Sequence, residues 1–126
     1  MNYILNKKLL EIILDKSIHS FSYCKEFKEM TNFISITFKD GTTTAINIYE
    51  LAHKCKELAW RHGYNILIDC YNKELTEFEA YVIQDNISND DKWVNNSHIL
   101  YHIEAKTEPE AIFKACEWIF KRKEIL

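Results

Sequence analysis

Over residues 5–16, Leu5, Leu9, Leu10, Ile13 and Leu14 stand at i, i+4, i+5, i+8 and i+9. That is the spacing of one helix face, and it predicts a helix. A further helical stretch is expected over 18–29, where Ile18, Phe21, Cys24 and Phe27 fall three apart. The period then drops to two. In "NFISITFKDGTTTAINI", Ile34, Ile36 and Phe38 alternate with Ser35 and Thr37, and Asp40-Gly41 offers the two positive-φ positions of a type I′ turn. Asn47, with Glu50 three residues on, has the form of a capping box. The helix that follows, "IYELAHKCKELAWRHG", ends on Gly63, a natural left-handed cap.

Three strands are expected next, at about 64–72, 76–85 and 98–106, and a last helix at 108–123. Thr107 and Glu110 form a second capping box, and Pro109 sits in the first turn, where no amide donor is needed. The predicted order is αββαβββα, with the stretch over 18–29 as one extra short helix near the start. Hairpin-linked strands between helices imply an α+β domain, residues 1–126, with a mostly antiparallel sheet of about five strands and helices packed on it. Only two Gly and one Pro occur, so regular elements meet at tight joints.

Composition narrows the function classes. The 126 residues fit one domain with a real core, and 47% hydrophobic against 28% charged residues describes a globular chain. A net charge of −3 argues against nonspecific binding to duplex nucleic acid and leaves room for a basic protein partner or a small ligand. No apolar run approaches the length of a membrane span. The opening "MNYILNKKLLEIILDK" is amphipathic and mixed in charge, unlike a signal peptide, so a cytoplasmic protein with reduced Cys24, Cys55, Cys70 and Cys116 is expected. No C-x-x-C pair occurs, and no metal or cofactor is expected.

The stretch "EAKTEPEAIFKACEWI", with the preceding "ELAWRHGYNILI", resembles the C-terminal half of small phage and prophage proteins of the phage αβα-sandwich family. The likeness covers about half the chain. It implies an αβα-type fold in an anti-defence setting within the host cell. Small phage proteins of the Thoeris anti-defence class sequester cyclic-ADP-ribose-type immune signals. The arginines that would grip a phosphate are missing from the first turns of the last helix here, where Lys114 is the only cation.

Two helices carry more apolar surface than one sheet requires. On the last, Ala111, Ile112, Ala115, Cys116 and Ile119 form a core stripe, and Phe113, Phe120 and Trp118 widen it to about 220°, against roughly 100° for a surface helix. Phe113, Trp118 and Phe120 are therefore candidate interface residues of a homo-oligomer; the alternative is a neighbouring helix over the edge. On the middle helix, Ile48, Leu51, Ala52, Cys55, Leu58 and Ala59 face the core, while Tyr49, His53 and Trp60 share a separate strip. That strip suits stacking on a planar ligand or packing on a second subunit. Arg61 is either a partner of the helix C-terminus or an anchor for phosphate or carboxylate. The polar segment 86–97, "NISNDDKWVNNS", presents Trp93 as a lid residue or folds it into the core.

Catalytic patterns are sparse. Glu104-x-Lys106 on a strand, with Asp69 or Asp85 on others, is the minimal pattern of a magnesium-dependent nuclease of restriction type, but such an enzyme wants a basic face. His98 and His102 share a strand face about 13 Å apart, too far for one metal ion. The chain is thus expected to be no enzyme. It is expected to sequester a small nucleotide between subunits through Tyr49, His53, Trp60, Arg61 and Trp93. The alternative is an inhibitor of a host defence protein, of anti-CRISPR type, acting through the acidic 85–91 segment.

Overall fold

The computed structural model describes residues 5–23, 32–84 and 99–126. Their order is α1 (Lys7–Leu14), β1 (Ile18–Tyr23), β2 (Phe33–Phe38), β3 (Thr43–Asn47), α2 (Ile48–Arg61), β4 (Tyr64–Cys70), β5 (Phe78–Gln84), β6 (Ile99–Ala105) and α3 (Glu108–Arg122). The class is α+β. The strands do not form one sheet of five, as the element order had implied: β1-β2-β3 and β4-β5-β6 are separate antiparallel sheets of three. The chain accordingly divides into two compact units, one ending at Lys54 and the other beginning at Cys55, with the division inside α2.

In the first unit, Asn6 caps α1 by accepting the Leu9 amide, and Asp15 closes it in the left-handed region with φ 53°. Leu5, Leu9 and Leu10 are buried. Glu11 accepts the Ile18 amide at 2.7 Å, tying the helix to the start of β1. β1 replaces the helix expected from Ile18 on. A bulge between Ile18 and Ser20 shifts the β1–β2 register, so that Ile18 pairs with Phe38 and Phe21 with Ile36. Two residues three apart thereby land on one sheet face, which imitates helical spacing. Cys24 and Phe27 lie outside the described residues.

The β2–β3 hairpin forms where expected, but its turn differs. Phe38 donates its amide to the Thr42 carbonyl and Gly41 donates to Phe38, which encloses three loop residues. Only Gly41 has a positive φ, 90°, so the loop is a three-residue turn ending in a left-handed glycine rather than a type I′ turn. Asp40 accepts from the Thr42 amide and hydroxyl and pairs with Lys16 at 2.8 Å. Lys16, and Thr42 after it, hold the Asp40 carboxyl well below the usual carboxylate range.

In the second unit α3 lies across β4, β5 and β6. Alternation along the strands sends Tyr64, Ile66, Ala80 and Val82 into the core with Ala111, Ile112, Phe113, Ala115, Cys116, Ile119 and Phe120. Both capped helices start as read: Asn47 Oδ1 accepts the Tyr49 amide at 2.8 Å, and Thr107 Oγ1 accepts that of Glu110 at 3.3 Å. Glu110 Oε2 in turn accepts the Lys106 amide at 3.1 Å. Cys55 and Cys116 are buried core thiols in contact, the Cys116 Sγ donating to the Cys55 carbonyl; burial, and Cys116 after it, pushes the Cys55 thiol up. No helix among the described residues is long and apolar enough to cross a membrane.

Candidate functional site

α2 is amphipathic with a surplus. Ile48, Leu51, Ala52, Cys55 and Ala59 are buried along one face. Tyr49, His53 and Trp60 fall within about 40° of each other on another face, counting about 100° per residue. All three are exposed, Tyr49 to 52% and Trp60 to 53%. Arg61 is also exposed and ends the helix, where the last carbonyls favour a cation. The chain then turns through Gly63, φ 86°, whose amide bonds to the Trp60 carbonyl. Tyr49 and Trp60 thus stand half-exposed beside the buried apolar stripe of the same helix. Trp93 lies outside the described residues, as do His98, Asp85 and the segment 85–98.

The three residues assigned to an interface on α3 divide differently. Phe113 and Phe120 are 0% exposed within the chain, so neither side chain is open to a second copy. The Phe120 and His62 rings meet edge-to-face with centroids 5.1 Å apart, and burial, with Lys123 after it, lowers the His62 pKa. α3 spans three strands, and the Phe113 and Phe120 part of its apolar arc is enclosed within the chain. Trp118 is half-buried. Its indole stacks on Tyr101 at 4.8 Å and 8°, and the Arg122 guanidinium lies 5.2 Å from the ring.

A second constellation occupies the face of β4-β5-β6 opposite α3. The register sets Asp69, Glu79 and Glu104 side by side, and Leu67, Tyr81 and His102 in the next row. Glu79 is 7% exposed although it stands between two other carboxylates. His102 Nδ1 meets Glu79 Oε1 at 2.7 Å, and the Tyr81 hydroxyl donates to Oε2 at 3.0 Å. Tyr81 in turn lies 2.7 Å from the Tyr71 hydroxyl. Burial, then the Glu79 hydrogen bond, raise the Tyr81 pKa. Asp69, Glu104 and His102 stand out in the sequence as candidate chemistry; Glu79, Tyr81 and Tyr71 do not. The available signal was polar alternation along three strands; their mutual register was not readable. Among the described residues no three His, Cys, Asp or Glu side chains are grouped to hold a metal ion. Compared with known proteins, the chain matches no family model, no curated protein and no solved structure.

Proposed function

We propose that this chain works by binding rather than by catalysis, as a phage-type anti-defence protein that sequesters a small nucleotide signal between two copies. The observation that carries the reading is the exposed strip of Tyr49, His53 and Trp60 beside Arg61 on α2. A helix face is convex, so a planar base gains two stacking walls only when a second face closes over it. Stacking on an indole contributes about 1–3 kcal/mol per base. A guanidinium beside it supplies a bidentate hold on phosphate.

Titration calorimetry of the whole chain with cyclic-ADP-ribose isomers and cyclic di- and trinucleotides tests this. Saturable binding with one ligand per two chains supports it. Absence of binding to all of them sinks the nucleotide reading. A second reading then stands, inhibition of a basic host defence protein, for which the exposed Asp69 and Glu104 carboxylates give support.

A further inference from the structure

The β4-β5-β6 sheet is closed along one edge and open along the other. β4 and β6 are its two edges among the described residues, each 7 residues long. In one row of the side facing α3, Ile66 on β4 is 1% exposed and Val82 on β5 is 0% exposed, but Tyr101 on β6 is only half-buried. In the next row Ala80 is closed and its β6 partner Ile103 is again half-buried. The end of α2 covers the β4 side. There His62 meets Phe120, and Lys123 donates to the His62 carbonyl and lies 5.9 Å from the Tyr64 ring. Beside β6 the flank of α3 carries the half-buried Trp118, stacked on Tyr101.

The composition of β6 does nothing to blunt its edge. "ILYHIEA" holds no proline, lysine or glycine, and its pairing with β5 is regular from Tyr101 to Ala105. Every second residue of such a strand turns its amide and carbonyl away from the sheet. An edge without proline, lysine or a bulge is a template for another strand. The far face says which kind of strand it suits. His102 and Glu104 are exposed there, and Glu104 extends the row of Asp69 and Glu79. No Lys or Arg among the described residues forms an ion pair with Glu104. A further carboxylate across from it would repel, whereas a Lys or Arg would make an opposite-charge pair.

We propose that the edge of β6 takes an extended segment of a partner protein as a fourth strand. Across from Tyr101 and Ile103 that segment carries apolar, β-branched residues, which close the layer beside Trp118. Across from Glu104 it carries Lys or Arg. Main-chain hydrogen bonds supply the hold, and the alternation of side chains selects the segment. The exposed strip of α2 takes no part, so this inference stands independently of the nucleotide reading.

The probe is the end-capped peptide Lys-Val-Thr-Val-Lys, whose palindromic order fits β6 in either strand direction. Amide-resolved NMR titration of the full chain should show saturable shifts along Tyr101 to Ala105 and at the Trp118 indole. Lys-Thr-Val-Thr-Lys, equal in charge but with its apolar residue on the wrong face, should bind about tenfold weaker, as the lost burial of valine requires. Methylating the two Val amides, or instead the Thr and Lys amides, should split the outcome: one set abolishes binding and the other keeps it, because only alternate amides face β6. Glu-Val-Thr-Val-Glu should bind more weakly than the lysine peptide. Glu104→Lys should reverse that ranking, and Asp69→Lys, two strands away, should keep it. Both positions are exposed, so the remaining spectrum should be unchanged. Absence of shifts at about 5 mM lysine peptide, where even millimolar affinity registers, overturns the proposal. So does equal loss from both methylated sets, or a Glu104→Lys chain that keeps the native ranking. Slow hydrogen exchange at the outward β6 amides before any peptide is added would show the edge taken by this chain or by a second copy, and would overturn it as well.

Discussion

The His102 Nδ1 atom lies 2.7 Å from Glu79 Oε1, and this contact, with the Tyr81 hydroxyl on the other oxygen, is what lets a buried carboxylate stand between Asp69 and Glu104. Like charges opposite each other across strands destabilise a sheet. Two hydrogen bonds to the middle carboxylate offset part of that cost. The contact also ties the exposed His102 imidazole to the sheet through Nδ1.

Glu79→Ala should therefore be destabilising despite removing a repulsive charge. It strands the Tyr81 hydroxyl next to its Tyr71 partner and frees His102. A loss of about 1–3 kcal/mol is expected from the unmade hydrogen bonds. Denaturant unfolding of Glu79→Ala and Glu79→Gln checks this. Glu79→Gln should lose less, since the amide oxygen still accepts from one partner. Equal or higher stability of Glu79→Ala would show that carboxylate repulsion dominates the row.

Tyr81 predicts an alkaline weakness. Burial and the hydrogen bond to Glu79 raise its pKa above the ordinary value of 10.0. The unfolded chain then releases this proton at a lower pH than the folded one. Stability from this group is complete below pH 10.0 and falls as pH rises through the folded value. Unfolding free energies measured across that window should drop in the native chain, and Tyr81→Phe should remove part of the slope.

His62 acts at the other end of the scale. Burial, and Lys123 after it, lower its pKa from 6.5. Here the unfolded chain binds the proton first. Stability is complete above pH 6.5 and declines as pH falls through the folded value. His62→Gln should flatten that decline, as read by melting temperature between about pH 5 and 7.

These effects show which parts of the fold were legible. The β2–β3 hairpin, the Asn47 and Thr107 caps and the three strands after Gly63 could all be read, because each is fixed by neighbours a few residues away. β1 could not, because its bulge places Ile18 and Phe21 on one face, a spacing that alternation alone assigns to a helix. The division into two sheets depends on which strands pair, and no single strand encodes that. The exposed strip on α2 was visible as a surplus over the core stripe. The surplus on α3 has the same form in sequence, but Phe113 and Phe120 are covered from within, since helical spacing reports how wide an apolar arc is and not what covers it. Glu79, Tyr81 and His102 meet only through the register of β4, β5 and β6.

The hairpin turn gives a local test. Gly41 holds φ 90°, and a Cβ built there would meet no atom within 4 Å. Gly41→Ala thus adds backbone strain and no clash. The expected cost is about 1 kcal/mol, with Gly41→Asn cheaper than Gly41→Ala because asparagine tolerates the left-handed region. Thermal unfolding of both variants measures it. A stabilised Gly41→Ala would mean that the turn relaxes to another form.

Phe113 and Trp60 should separate folding from assembly. Phe113 is wholly enclosed, so Phe113→Ala opens a cavity in the α3 core and should cost about 3–5 kcal/mol. Trp60 is half-exposed at the end of α2, so Trp60→Ala should change stability by no more than about 0.5 kcal/mol, as surface substitutions do. If two copies meet through the α2 face, the effects on assembly reverse. Trp60→Glu should convert a dimer to a 15.0 kDa monomer while the melting temperature at low concentration holds. Phe113→Ala should lower that temperature without a preference for monomer among the molecules still folded. Light scattering at tens of micromolar, run beside thermal unfolding, reads both. A native chain already monomeric there would remove the pairing of copies. The nucleotide, if bound, would then rest on one α2 face, where a single indole wall should leave it at least tenfold weaker than the two-walled site.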